Sequence, residues 1–163
     1  MSAATTETAF RLRPAGAADA AAIAAVLRAA FAAHDGKLRP RPGALSETAE
    51  SIAAKLADHR AILAEAGGKT VGSVVYRPQG EGVYMGRLGV LPDWQGRGVG
   101  AALVNAVAEA AAAEGARDVT LNVRILLPDN VAFFRSLGFH EAGQGAHEGF
   151  DRPTYWIMRR ALR

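Results

Sequence analysis

Apolar and polar positions along the chain change period several times, and the changes mark out its elements. Phe10 to Arg13 alternates apolar and basic side chains, the period of a half-buried strand, which Pro14 ends. From Asp19 the period lengthens: Ile23, Val26, Leu27, Ala30 and Phe31 form a helical stripe, with Asp19 placed to cap it. His34 to Gly43 keeps neither period. Pro40, Pro42 and Gly43 exclude a helix there, and Lys37, Arg39 and Arg41 suit a solvated loop. Ser46 is placed to cap a second helix that ends near His59, with Glu47 and Glu50 at its positive end and Ile52 and Leu56 on one face. Ala61 to Glu65 and Thr70 to Arg77 are two strands joined by Gly67-Gly68, a hairpin signal. Pro78, Gly80 and Gly82 turn the chain into a third strand, Val83 to Leu91, completing an antiparallel meander.

The second half alternates helix and strand. Val99, Leu103, Val107 and Ala110 line one face of an alanine-rich helix that reaches Glu114 and stops at Gly115. Val119, Leu121 and Val123 alternate with Thr120 and Asn122. This fifth strand is expected to run parallel to its neighbour, because a helix connects them. Leu127-Pro128-Asp129-Asn130 opens a short last helix and Leu137-Gly138-Phe139 closes it. Phe139 to Ala142 and Thr154 to Arg160 are two final antiparallel strands around a glycine-rich excursion.

Composition narrows the class. A chain of 163 residues is expected to be one domain, 1–163, with residues 1–8 a flexible tail. Hydrophobic residues at 50% and charged residues at 21% suit neither a disordered nor a membrane-spanning chain. The run from Ala15 to Ala33 has a signal-like composition, but Asp19 and Arg28 interrupt it, so a folded amphipathic helix and no membrane are expected. Without cysteine there are no disulfides, thiolate ligands or cysteine nucleophile; the cytoplasm is the default location, and no metal is expected. The surplus of 19 basic over 16 acidic residues, +3, is too small and scattered to argue for nucleic acid.

The candidate chemistry lies between the third strand and the alanine-rich helix, in Gln95-Gly96-Arg97-Gly98-Val99-Gly100. Glycines at alternate positions let backbone approach a ligand, and a helix starting inside such a loop offers unpaired N–H groups to an anion. Pro92 and Asp93 already supply a turn, so the glycines exceed what a turn needs. No Walker lysine ends the loop. Gly96, Gly98 and Ala101 satisfy a dinucleotide fingerprint, yet Pro92 to Gln95 separate the loop from its strand and Asp118 stands before the next one.

The segment from Leu88 through Pro92 to Gly100 resembles the strand, bulge and pyrophosphate loop of the GNAT N-acetyltransferases, whose signature Gln/Arg-x-x-Gly-x-Gly/Ala is matched by Gln95, Gly98 and Gly100. The order of elements from Phe10 to Arg160 resembles the family too. The resemblance implies an α/β (α+β) fold, a mixed, mostly antiparallel central sheet of about seven strands with about four helices on both faces. It implies acetyl-coenzyme A as cosubstrate, its pyrophosphate on the amides of Gln95, Gly96, Arg97, Gly98, Val99 and Gly100, with Arg97 either adding a contact or merely solvated. The pantetheine arm would lie between Leu88, Gly89 and Val90 on one strand and Val119 to Asn122 on the next, with Gly89 as a bulge that frees amides for the oxyanion. Asn130, Phe133 and Phe134 are the remaining coenzyme positions; Asn130 is equally placed to cap its helix with Asp129.

Phe134 stands where the family commonly has a tyrosine that protonates the leaving thiolate, and a phenyl ring has no proton to give. Where some relatives place a glutamate base the chain has Tyr84, a poor base. His147, in the excursion ahead of Arg152-Pro153-Thr154, is the better candidate because imidazole titrates near neutral pH, although a loop histidine can also be a bystander. His140 and Glu81 rank below it, and His34 and His59 are not nominated. The expected activity is acetyl transfer to a primary amine of a small-molecule or amino-acid-like acceptor by direct attack in a ternary complex. The alternative is a non-catalytic coenzyme A-binding sensor or scaffold. Members of the family often pair through their final strands, so a homodimer is among the expected states.

Overall fold

A computed structural model describes residues 9–162, so the expected tail at residues 1–8 lies outside the described residues. It contains β1 (Arg11–Ala15), α1 (Ala20–Phe31), α2 (Ala49–Lys55), β2 (Arg60–Ala66), β3 (Lys69–Gln79), β4 (Gly82–Val90), α3 (Val99–Ala113), β5 (Asp118–Arg124), α4 (Pro128–Ser136), β6 (His140–Gly145) and β7 (Tyr155–Ala161). The strands form one seven-stranded sheet in the order β1-β2-β3-β4-β5-β7-β6. The expected mixed, mostly antiparallel architecture is therefore present. The described residues form two compact units, one running up to residue 75 and including 87–106, the other made of 76–86 and the chain from 107 on.

In the first unit β1 pairs antiparallel with β2, from Arg11 opposite Glu65 to Ala15 opposite Ala61. Pro14 sits inside β1 rather than ending it, which an edge strand permits because it has only one neighbour to bond. The stripe on α1 buries Ile23 and Leu27 completely, in one cluster with Ile52 of α2, Ala61 of β2 and Val75 of β3. By length and composition Ala17–His34 could cross a membrane, but here its apolar face is the core of this unit. Gly72 of β3 is where α3 comes down on the sheet: a Cβ there would lie 2.8 Å from Val99 Cγ1 and 3.2 Å from Leu103 Cδ1.

One helix cap differs in bonding and one in place from the sequence expectation. Asp19 stands at the N-cap of α1, but its side chain makes no capping bond to the helix; its carboxylate accepts from the Gly16 N–H at 2.9 Å and from Arg13 at 2.7 Å, closing the short turn ahead of the helix. The α2 cap is Thr48, not Ser46: Thr48 Oγ1 accepts from the Ser51 N–H at 3.0 Å, and Ser51 Oγ accepts from the Thr48 N–H at 2.8 Å. Reciprocal bonding fixes the helix start there. Ser46 instead accepts a bond from Arg41 at 2.8 Å.

In the second unit β5 runs parallel to β4 and antiparallel to β7, and β6 pairs with β7 through an irregularity between Glu141 and Gly143. The parallel register consists of Val83 with Val119 and Tyr84 with Thr120; Met85 and Gly86, next on β4, have no register partner on β5 among the described residues. Gly115 (φ 86°) ends α3, with the Ala116 N–H donating to the Ala111 carbonyl at 3.0 Å. Ala111, rather than Ala110, carries the buried stripe at that end.

Replacing Thr48 with alanine removes the cap and should cost about 1 kcal/mol, whereas Ser46→Ala should leave stability within ~0.5 kcal/mol. Urea unfolding of the two variants ranks them.

Candidate functional site

The anion loop is built entirely within the first unit. The Leu91 N–H donates to the Val71 carbonyl at 2.9 Å, fixing the exit of β4. One 3₁₀ turn follows, Pro92–Trp94, and then the backbone turns left-handed twice, at Gly96 (φ 78°) and Gly98 (φ 86°). A Cβ at either glycine would meet no protein atom within 4 Å, so backbone conformation rather than crowding calls for glycine. Beyond the loop, the Ala102 N–H donates to the Gly98 carbonyl at 3.0 Å, where the helical ladder begins. Earlier amides of α3 have no carbonyl of their own helix within reach. Left-handed residues ahead of a helix N-terminus make a concave set of N–H donors at the positive end of a dipole. That donor set fits a diphosphate.

Gln95 and Arg97 have different parts in this loop. The Gln95 N–H is already spent on the Pro92 carbonyl (3.3 Å), and its side-chain amide donates to the Val90 carbonyl at 3.1 Å. Gln95 therefore ties the loop to the end of β4 instead of adding an amide to the donor set. The Arg97 guanidinium lies 4.6 Å above the Trp94 ring centre. Stacking holds its charge beside the loop, an arrangement worth about 0.5–1 kcal/mol when exposed.

On β4 the backbone turns left-handed at Arg87 (φ 52°), two residues before Gly89. Gly89 is glycine for a steric reason: a Cβ there would lie 3.0 Å from Leu27 Cδ2 and 3.3 Å from Ala30 Cβ, where α1 crosses the strand. Leu88 and Val90, on either side, are half-buried.

The remaining candidates lie in the second unit. The His147 N–H donates to Thr154 Oγ1 at 2.9 Å, and its Nδ1 is 2.5 Å from the same oxygen. Its ring meets Tyr155 edge-on at 5.2 Å and Phe150 at 6.4 Å. Partial burial and the charge of Arg124 push the imidazole below the ordinary histidine value, so it is neutral at pH 7. Tyr84 packs under Arg77, whose guanidinium is 5.1 Å from the ring centre. Asn130 is exposed in the first turn of α4 and is not its cap; Leu127 occupies that position, and no side chain caps the helix. Phe134 is buried, edge-on to Phe133 at 5.0 Å and to Phe139 at 5.7 Å, so it serves the apolar core of this unit. His140 is exposed, and Glu81 pairs with Arg117 at 3.1 Å on the surface. His34 and His59, in the first unit, contact Phe31 and Asp58.

Sequence reasoning missed the partners of two of these groups. Thr154 and Tyr155 as neighbours of His147 depend on the pairing of β6 with β7, and Glu47 as the partner of Arg87 spans a long stretch of chain.

Comparison with known proteins accounts for the loop and the fold together. The model of the acetyltransferase (GNAT) family matches residues 24–139. The chain belongs to the GNAT acetyltransferase family. Solved GNAT-like structures share its fold. PaiA N-acetyltransferase from Thermoplasma acidophilum, in complex with coenzyme A, superposes with a TM-score of 0.79 at 15% identity, covering 94% of this chain and 99% of that one. The ribosomal-protein-S18-alanine N-acetyltransferase from Escherichia coli gives a TM-score of 0.76 at 19% identity over 94% of both chains. Nourseothricin acetyltransferase gives 0.71 at 21% identity, covering 95% and 99%. No curated protein matches the chain in sequence.

At Gly98 an alanine would meet no clash but would be held left-handed, which costs roughly 1–2 kcal/mol. Asparagine tolerates that conformation better. Denaturant midpoints should therefore fall in the order parent, Gly98→Asn, Gly98→Ala.

Proposed function

We propose that this acetyltransferase uses acetyl-coenzyme A to acetylate a primary amine of a small-molecule or amino-acid-like acceptor, by direct attack in a ternary complex. The observation that carries this reading is the left-handed loop at Gly96 and Gly98, at the head of α3, where even an added Cβ would meet no protein atom within 4 Å. Main-chain N–H groups from Gly96 to Gly100 would hold the diphosphate, and Arg97 would add charge beside it. The PaiA structure, which contains coenzyme A, supports the choice of cosubstrate through its shared fold. Residues 1–163 would act as one domain: the boundaries between the compact units fall inside β3, β4 and α3, not in linkers. A cysteine-free chain fits a cytoplasmic location.

The chemistry requires an unprotonated amine to add to the thioester carbonyl. The adduct loses its extra N–H proton to a base, the tetrahedral oxyanion collapses, the C–S bond breaks, and the sulfur leaves as thiolate and takes up a proton from water. Amides of the Leu88 to Val90 segment would stabilise the oxyanion. His147 is the proposed base: it is neutral at pH 7, and Thr154 holds it in one orientation. Tyr84, stacked with Arg77, is the weaker choice, and Asn130 has an exposed side chain available to the pantetheine arm. Burial of Phe134 among aromatic rings favours a second reading, a coenzyme A-binding sensor without turnover, because that position offers no acid.

Release of free thiol from acetyl-coenzyme A across a panel of amines decides between the two. Amine-dependent release supports the enzyme; binding of coenzyme A with no release from any amine supports the sensor. Gly98→Glu places a negative charge where the diphosphate would sit and should abolish the thermal shift caused by coenzyme A. An unchanged shift would sink the loop assignment.

The pH profile tests His147. Its lowered value means the active, neutral form already predominates at neutral pH, so kcat/KM calculated on the unprotonated amine should rise with pH through an inflection below the ordinary histidine value and then level off. His147→Ala should lower the plateau and remove that inflection. An unaltered profile would remove His147 from the mechanism.

A further inference from the structure

Arg87 is the only residue other than glycine with a left-handed backbone among the described residues, and it immediately precedes Leu88. An arginine gains nothing locally from φ 52°; its side chain meets the following carbonyl there, and the conformation persists only if surrounding contacts impose it.

Those contacts are present. Arg87 Nε donates to Glu47 Oε2 at 2.7 Å, and the guanidinium packs so closely on Gly43 that a Cβ there would lie 2.7 Å from Nη2. Glu47 is 4% exposed and carries the negative charge that holds the arginine. Burial alone would raise its carboxyl, but bonds from Ser51 and Arg87 outweigh this and leave it below the ordinary carboxylate range. Lys55 Nζ lies 3.2 Å from the same carboxylate, and Arg28 donates to the Glu47 carbonyl at 2.7 Å. Ser51 and Lys55 belong to α2, Arg28 to α1. The acid is thus fixed from two helices and grips a strand residue directly before the Leu88 to Val90 segment.

From this we infer that Glu47 and Arg87 are a positioning pair. By holding Arg87 left-handed, the pair sets the direction of the main-chain amides that follow it, and so the polarisation of the thioester carbonyl. This rests on the proposed reading that those amides face the acetyl group. Neither side chain touches substrate in this role. Its consequence is specific: glycine, which adopts positive φ freely, can replace Arg87 without the pair, whereas alanine cannot.

The probe is acetyl-coenzyme A labelled with carbon-13 at the thioester carbonyl, bound to the full chain and followed by NMR, with slow acceptor-free hydrolysis measured alongside. Arg87→Ala and Glu47→Gln should move the bound carbonyl resonance toward its free position and slow hydrolysis by about tenfold or more. Arg87→Gly should keep the parent resonance and a rate within about threefold. In the Arg87→Gly background, Glu47→Gln should then change neither. A pair that served stability alone would shift the denaturant midpoints of these variants and leave the bound carbonyl resonance of each folded variant where the parent has it. Equal resonances in the parent and all four variants would overturn the positioning role while leaving the coenzyme site intact. If the labelled thioester failed to bind the parent, the site and the inference would fall together. Glu47→Gln keeps the volume and the Ser51 contact, so it still tests the pair if an Arg87 variant does not fold.

Discussion

Between Arg87 and Gly98 the backbone enters the left-handed region at Arg87, Gly96 and Gly98, and the proposed chemistry depends on all of them. Two are glycines, for which the conformation costs almost nothing. The third is an arginine, for which it costs of order 1–2 kcal/mol. Strain of that size survives only where side-chain contacts exceed it, and a buried, charge-assisted contact from Glu47 at 2.7 Å is of the right order. The first unit thus uses two solutions to one geometrical problem. Sequence identity supplies the bend where space must stay open, and an ion pair supplies it where a long side chain can anchor the strand to the helices.

This division explains what could be read from the sequence. The elements were legible because their periods are local: alternation gave the meander and β5, and helical stripes gave α1 and α3. The loop was legible for the same reason, since glycines spaced along a few residues report their own backbone. Arg87 was not, because nothing in an arginine announces positive φ. Nor was the steric demand at Gly89 legible, since it comes from Leu27 and Ala30 on a helix far away in sequence.

Glu47 shows the same limit from the other side. Read locally, it is an acid near a helix N-terminus, one of the commonest solvated positions. Its burial follows from Arg87, forty positions on in the chain, and no periodicity links the two. The cap of α2 falls two residues from its expected place for a related reason. Ser46 and Thr48 are equivalent as residue types, and only the reciprocal bond with Ser51 distinguishes them.

Under the proposed mechanism, the missing hydroxyl at Phe134 weighs less than the state of the base. Collapse of a tetrahedral adduct expels the group whose anion is more stable, and a thiol, with an ordinary pKa near about 8.5, leaves far more readily than an amine. Breaking the C–S bond therefore needs little help from an acid, and water can protonate the thiolate afterwards. Removing a proton from the attacking nitrogen is different. Until it is lost, the adduct reverts by expelling neutral amine, so the forward reaction depends on a neutral base. Burial and the charge of Arg124 keep His147 in that form. An apolar residue at the acid position and a depressed imidazole are thus compatible within one enzyme, provided the oxyanion amides are held still while the proton leaves.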